Sequence, residues 1–97
     1  MATLRNNNTN AMREYAQRLE TYRTTYFEAL QSLQRRINEL DEMWDGDANA
    51  AFMERWRGDI PKFNRMLQVL REYHDKLLEA ADRYDANEEN NRKIVQG

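Results

Sequence analysis

Cysteine is absent from this chain of 97 residues, and proline and glycine are scarce. The absence of cysteine excludes disulfides, cysteine-based zinc sites and thiol chemistry. One proline and three glycines leave few positions for turns, which argues against an all-β or an α/β fold. A chain of this length is sufficient for one domain and no more. The sequence therefore predicts a single all-α domain.

The chain also lacks a large charge of one sign and any long apolar run. Fifteen Lys and Arg residues oppose seventeen Asp and Glu residues, which gives a net charge of −2. So small a charge gives no electrostatic reason to expect a nucleic-acid or anionic-membrane partner. No apolar run reaches the roughly 18 residues of a membrane span, and the first residues lack the apolar core of a secretory signal. We therefore expect neither stable membrane insertion nor a cleavable signal peptide.

Apolar residues recur every three or four positions on both sides of a short turn sequence. Such spacing places their side chains on one face of an α-helix. The residues assigned to a core or dimer seam are Leu19, Tyr22, Tyr26, Leu30, Leu33, Ile37, Phe52, Trp56, Phe63, Leu67, Leu70, His74 and Leu77. The same two faces continue through Met12, Tyr15, Leu40, Trp44, Ile60, Ala81 and Tyr84.

The apolar pattern stops at Asp45-Gly46-Asp47. Glycine tolerates a left-handed backbone, and Asp47 is suited to cap a second helix. Because so short a connection leaves two helices antiparallel, we predict a two-helix hairpin over residues 10–90. The expected segments are a disordered start at 1–9, a first helix at about 10–43, a turn at 44–47, a second helix at about 48–89 and a flexible tail at 91–97.

A glycine and the single proline, Pro61, interrupt the second helical pattern. A proline inside a helix removes one backbone hydrogen bond and clashes with the preceding turn. Asp59 could therefore cap a separate third helix that has Pro61 in its first turn. Trp56 and Phe63 lie seven residues apart, however, so the apolar face crosses the proline without a change of phase. We expect one helix that bends over residues 58–61, with a third helix as the alternative.

The two apolar stripes are wider than two paired helices can cover. The chain contains ten aromatic residues, and Phe27 and Leu78 lie beside the main faces. An exposed strip of this size would exceed the few hundred Å² of contiguous apolar surface that is usual for monomers. Pairing of two hairpins into a four-helix bundle would bury it. We expect a two-fold homodimer with an interface of roughly 2,000 Å² or more.

Two short motifs occur at definite places in this helical pattern. Trp44-Asp45-Gly46 is a Trp-x-Gly tripeptide at the predicted turn, near the middle of the chain. Tyr84 and Glu88 form a Tyr-x-x-x-Asp/Glu motif near the end of the second helix. In these motifs, in its length and in its helical pattern, the chain resembles the WXG family, the ESAT-like substrates of type VII secretion.

The resemblance implies export of a folded helical dimer through a membrane complex that is powered by an FtsK/SpoIIIE-like ATPase. The protein would be cytoplasmic before export and secreted afterwards. Trp44 and Gly46 would act with Tyr84 and Glu88 as a bipartite secretion signal, of which each half often comes from a different subunit in the family. The partner in the dimer would be a second copy of the chain or a related small helical protein.

Each motif residue also has a purely structural explanation. Trp44 continues the first apolar face and could close the turn end of the core, while Gly46 could serve the backbone alone. Tyr84 could pack at the edge of the second face, and Glu88 could be a solvated charge near a helix end.

Two features of the sequence limit what the resemblance implies about the partners. The tail offers only two apolar residues, Ile94 and Val95, for the contact that family tails make with the ATPase. The turn is acidic where the family often has small residues, and its acids are Asp41, Glu42, Asp45 and Asp47.

No residue pattern typical of an active site or a metal site is found. His74 is the only histidine and lies near the centre of the second apolar face. A metal site would need further ligands that converge on it, so we expect a core or interface histidine. The sequence contains no HExxH motif, glycine-rich phosphate loop or Ser-His-Asp set. We expect no enzymatic activity, no cofactor and no metal.

The sequence leaves two other functions open. The chain could be a cytosolic helical adaptor, or chaperone-like partner, that pairs with a larger secreted toxin. It could also be a structural coiled-coil module without a role in secretion. Our main prediction is a non-enzymatic type VII secretion substrate.

Overall fold

The structure, a computed structural model, describes the backbone of residues 2–96 and the side chains of residues 9–91. Nearly all of this backbone lies in two helices. They are α1, Ala2–Met43, and α2, Asp47–Gln96, and no strand occurs over the described backbone. The chain is therefore an all-α helical hairpin, which confirms the fold predicted from the sequence. Pairing into a four-helix bundle stays a prediction.

Both helices extend beyond the bounds expected from the sequence. α1 begins at Ala2, within the expected disordered start, and α2 continues to Gln96 through the expected tail. Neither glycine nor proline occurs in residues 1–45 or 62–96, so these segments contain none of the residues that break helices most strongly. Polar composition suggested the shorter bounds, but polar residues are compatible with helical backbone.

The reversal between the helices depends on the backbone of Gly46. Its φ of +108° lies in a region that favours glycine, which is the freedom expected of this residue from the sequence. The N–H of Ala50 donates to the carbonyl of Gly46 at 3.1 Å, so Gly46 occupies the capping position of α2. Asp47, expected to be the cap, lies instead in the first turn. There its negative charge is favourable at the positive end of the helix dipole.

α2 contains Pro61 in its interior and is assigned as one helix through it. The rings of Trp56 and Phe63 lie 5.7 Å apart between centroids, so the apolar face continues past the proline. The separate third helix considered above is therefore not formed. The bend over residues 58–61 stays a prediction.

The hairpin divides into two compact units, each built from segments of both helices. The turn unit is Tyr22–Val69, and the terminal unit consists of Met1–Thr21 and Leu70–Gly97. The candidate residues below are described within the unit to which they belong.

Few side chains are buried within the single chain. In the terminal unit Ala16 and Ala81 are fully buried, and Thr9 is nearly so. In the turn unit the buried apolar residues are Ile37 and Met53. Among residues 9–91 no large side chain is fully buried. The chain by itself therefore has a small core, and most of its large apolar side chains stay partly accessible.

Candidate functional site

The Trp-x-Gly motif lies at the reversal of the chain, in the turn unit. The half-buried Trp44 packs against Phe52 of α2, with ring centroids 5.7 Å apart and planes inclined at 51°. Tilted aromatic pairs at this distance are favourable beyond the area they bury. Gly46 is exposed beside this pair. The motif thus combines an indole that closes the turn with an accessible glycine backbone.

A side-chain hydrogen bond across the turn supports this arrangement. Asn49 Nδ2 of α2 donates to Asp41 Oδ1 of α1 at 2.8 Å in a partly buried setting. Sequence reasoning singled out Asp41 only as one of several acids and missed Asn49. The available signal was positional, because the two residues lie at equal distances before and after Asp45. The bond joins the two helices close to the motif.

The second motif lies on α2 in the terminal unit. Tyr84 is 38% exposed and Glu88 is half-buried. Being four residues apart, they share one helical face. With Asn87 and Asn91 they line a shallow surface recess. This surface presents a phenol, a carboxyl group and two amides, which suit recognition by hydrogen bonds and aromatic packing.

The two motifs belong to different units of the chain. Trp44 and Gly46 are part of the turn unit, whereas Tyr84 and Glu88 are part of the terminal unit. Neither unit by itself therefore contains both halves of the bipartite signal that the resemblance implies.

An ion-pair cluster in the terminal unit was not predicted from the sequence. Arg13 of α1 contacts two carboxylates of α2, with Nη2 at 2.7 Å from Asp85 Oδ2 and Nη1 at 3.0 Å from Asp82 Oδ1. The hydrogen bond to Asp85 has the larger effect, and together with the one to Asp82 it raises the pKa of Arg13 above its ordinary value. Sequence spacing shows that Asp82 and Asp85 share a face of α2. It does not show which residue of α1 lies opposite them.

The predicted seam is only partly covered within one chain. Ile37 is buried, and Tyr22, Leu33 and Phe52 are exposed. The remaining seam residues are half-buried: Leu19, Tyr26, Leu30, Trp56, Phe63, Leu67, Leu70, His74 and Leu77. Met53 was not among the predicted seam residues, but it is buried, whereas its neighbour Phe52 is exposed.

Large apolar side chains are exposed along both helices. Tyr15 and Tyr22 of α1 and Tyr73 of α2 are 57%, 61% and 59% exposed. These exposed rings leave apolar surface available for a partner.

The described residues offer no arrangement suited to holding a metal ion. Among residues 9–91 no three His, Asp or Glu side chains are grouped so that they could hold a metal ion. His74 Nδ1 lies 2.9 Å from Asp75 Oδ1, its neighbour on α2, and the His74 side chain is 24% exposed.

Neither described helix is long and apolar enough to cross a membrane.

Comparison with known proteins gives one family. Residues 6–89 match the family model WXG100, described as proteins of 100 residues with WXG. The matched segment includes the Trp44-Asp45-Gly46 turn and extends through Glu88. Comparison with curated proteins and with solved structures gives no match.

Proposed function

The chain belongs to the WXG100 family, and from that premise we propose that it is a substrate of a type VII, ESAT-like secretion system. Members of this family are in general non-enzymatic, secreted helical proteins that pair as dimers. For this chain the proposal is export as a folded helical dimer, after a cytoplasmic stage and without a cleaved signal peptide. An FtsK/SpoIIIE-like ATPase is the proposed reader of its signal.

The observation that carries the proposal is the placement of the two motifs within the matched segment. The indole of Trp44 and the backbone of Gly46 lie at the reversal, and Tyr84 and Glu88 line a recess of the terminal unit. As the resemblance to the family implies, the proposed signal is completed by a second chain, which contributes one of the two motifs. The tail residues Ile94 and Val95, proposed to contact the ATPase, have side chains outside the described residues 9–91.

The proposed partner in the dimer is a second copy of the chain. The exposed members of the seam, such as Tyr22, Leu33 and Phe52, supply apolar surface on both helices. A near-neutral net charge of −2 presents little electrostatic repulsion to self-association. A related small helical protein would use the same seam, and a stable monomer in solution would favour that partner.

Export of the Tyr84→Ala variant from a host with an active type VII system tests the proposal. We expect its amount in the culture medium to fall by about tenfold or more, because a central aromatic contact in a recognition surface is commonly worth 2 kcal/mol or more. Trp44→Ala should give the same result. The control is Arg71→Ala, which removes a large exposed side chain of the same helix and unit that lies outside the apolar seam.

Circular dichroism of each variant establishes that the helices remain formed. Normal export of folded Tyr84→Ala and Trp44→Ala proteins would refute the bipartite signal. Retention of the wild-type chain in the cytoplasm, bound to a larger exported protein, would instead favour the adaptor function.

A further inference from the structure

Arg13 joins the two helices of the terminal unit through ion pairs with two carboxylates. Its Nη1 and Nη2 atoms bind carboxylates that lie almost one helical turn apart on α2, at 3.0 Å from Asp82 and 2.7 Å from Asp85. The planar guanidinium holds its N–H donors in a fixed fork, so contact with two acceptors restricts orientation as well as distance. Arg13 is itself partly buried, with 38% of its side chain exposed.

This contact joins the side of α2 that carries Asp82 and Asp85 to α1. Successive residues of an α-helix point about 100° apart, so Tyr84 and its neighbour Asp85 project in clearly different directions. The recess lined by Tyr84, Asn87 and Glu88 adjoins the side of α2 that Arg13 holds, because Glu88 lies three residues from Asp85. A rotation of α2 that broke the Arg13 contact would also move the recess.

The fully buried residues of this unit are small, and one of them adjoins the ion pair. Ala16 and Ala81 are fully buried in this unit, and Ala81 directly precedes Asp82. The fork formed by Arg13 adds a directional polar contact between α1 and α2 at this level of the hairpin.

We propose that Arg13 is a positioning residue that fixes the rotation of α2 and so presents the Tyr84–Glu88 surface to its reader. The inference rests on the proposed function, because it assigns a means of presentation to that recognition surface. Arg13 acts through Asp82 and Asp85 and makes no contact with the reader itself.

The test compares Arg13→Gln with a charge-exchanged variant that carries Arg13→Glu, Asp82→Arg and Asp85→Arg together. In Arg13→Gln we expect amide hydrogen exchange at residues 84–91 to become about two- to fivefold faster. Export should fall by a similar factor. An effect of this size is expected when a small ion-pair network is lost. The exchanged variant should recover both properties, because opposite charges again face each other.

Two controls separate positioning from simple stability. Arg18→Gln removes an arginine of the same helix whose guanidinium lies 5.3 Å from the Tyr15 ring centroid, and it should leave exchange and export unchanged. Ile37→Val lowers stability in the turn unit, away from the Arg13 contact. If the two variants lower the midpoint temperature of unfolding equally, Ile37→Val should be exported better than Arg13→Gln. Equal export of these two variants would overturn the positioning role.

The outcomes for Tyr84→Ala distinguish the inference from the proposed function. If Arg13→Gln is exported normally while Tyr84→Ala is retained, only the role of Arg13 is overturned. If Tyr84→Ala is itself exported normally, the proposed function and the inference are both overturned.

Discussion

At the scale of single residues, Gly46 shows how a reversal is encoded. Its positive φ and the hydrogen bond from Ala50 to its carbonyl form the start of α2. A Cβ at this position would have no atom within 4 Å, so space does not require glycine here. The backbone conformation does, because L side chains rarely adopt a φ of +108°.

Gly46→Ala should therefore destabilise the folded protein through backbone strain alone. We expect a loss of about 1–3 kcal/mol in the free energy of unfolding, measured by urea denaturation followed by circular dichroism. Gly46→Asn should cost less, since asparagine tolerates positive φ better than alanine. Equal stability of Gly46→Ala and the wild type would show that the turn does not need this conformation.

The residues of the candidate site differ in how far the sequence could predict them. Trp44 and Gly46 were recognisable because the apolar period stops there. The contact of Arg13 with Asp82 and Asp85 was not, because the periodicity of one helix defines a face but not the residues opposite it. Met53 illustrates the same difficulty: it adjoins Phe52 in sequence, and only the packing of α1 decides which of the two is covered.

At the scale of the helix, α2 accommodates two unfavourable residues in its first third. Gly58 and Pro61 both lower helix propensity. Between them Asp59 Oδ2 accepts from Arg55 Nε at 3.1 Å, and Asp59 Oδ1 accepts from Lys62 Nζ at 3.2 Å. The hydrogen bond from Arg55, followed by that from Lys62, lowers the pKa of the Asp59 carboxyl. Paired charges at these helical spacings support the segment that contains the proline.

Gly58→Ala should stabilise α2. Its φ is not positive, and an added Cβ would have no atom within 4 Å. Alanine is favoured over glycine in a helix interior by about 0.5–1 kcal/mol, and we expect a gain of that size in the free energy of unfolding by urea denaturation.

The Gly58→Ala change is also the matched counterpart of Gly46→Ala, because the same methyl group is added and the expected sign is opposite. A loss of stability at position 58 would contradict this prediction. It would indicate that another chain approaches the shallow recess that Gly58 lines with Ala51 and Lys62.

The limits of the helices were less predictable than their existence. The three-to-four spacing of apolar residues identified both helices and the turn, because one buried face needs that period. Nothing comparable marks the ends, where the helices lengthen through mostly polar residues at 2–9 and 91–96. The continuity through Pro61 was predictable only because the aromatic pair of Trp56 and Phe63 keeps its phase.

At the scale of the whole molecule, the hairpin leaves much of its apolar surface accessible. The exposed members of the seam lie on both helices, and among residues 9–91 no large side chain is fully buried. Association of two copies would cover these side chains without any change in the fold.

We expect light scattering to give a mass of twice 11.7 kDa at micromolar concentration. Leu33→Glu should weaken the dimer by at least about tenfold, because it places a charge in an apolar interface. Gln31→Glu, which adds the same charge at an exposed position of α1, is the control and should leave the dimer intact. A wild-type mass of one chain at all concentrations would contradict the homodimer.

The small set of buried residues has a calorimetric consequence. A compact domain of about 100 residues shows a heat-capacity increment of about 1.2–1.5 kcal/mol/K on unfolding, and this increment arises mainly from newly hydrated apolar groups. An isolated hairpin whose buried apolar side chains are chiefly Ala16, Ile37, Met53 and Ala81 has less such surface to hydrate. Its stability curve should therefore be flatter than that of an ordinary domain. Most of the curvature should arise from the step in which two chains come together.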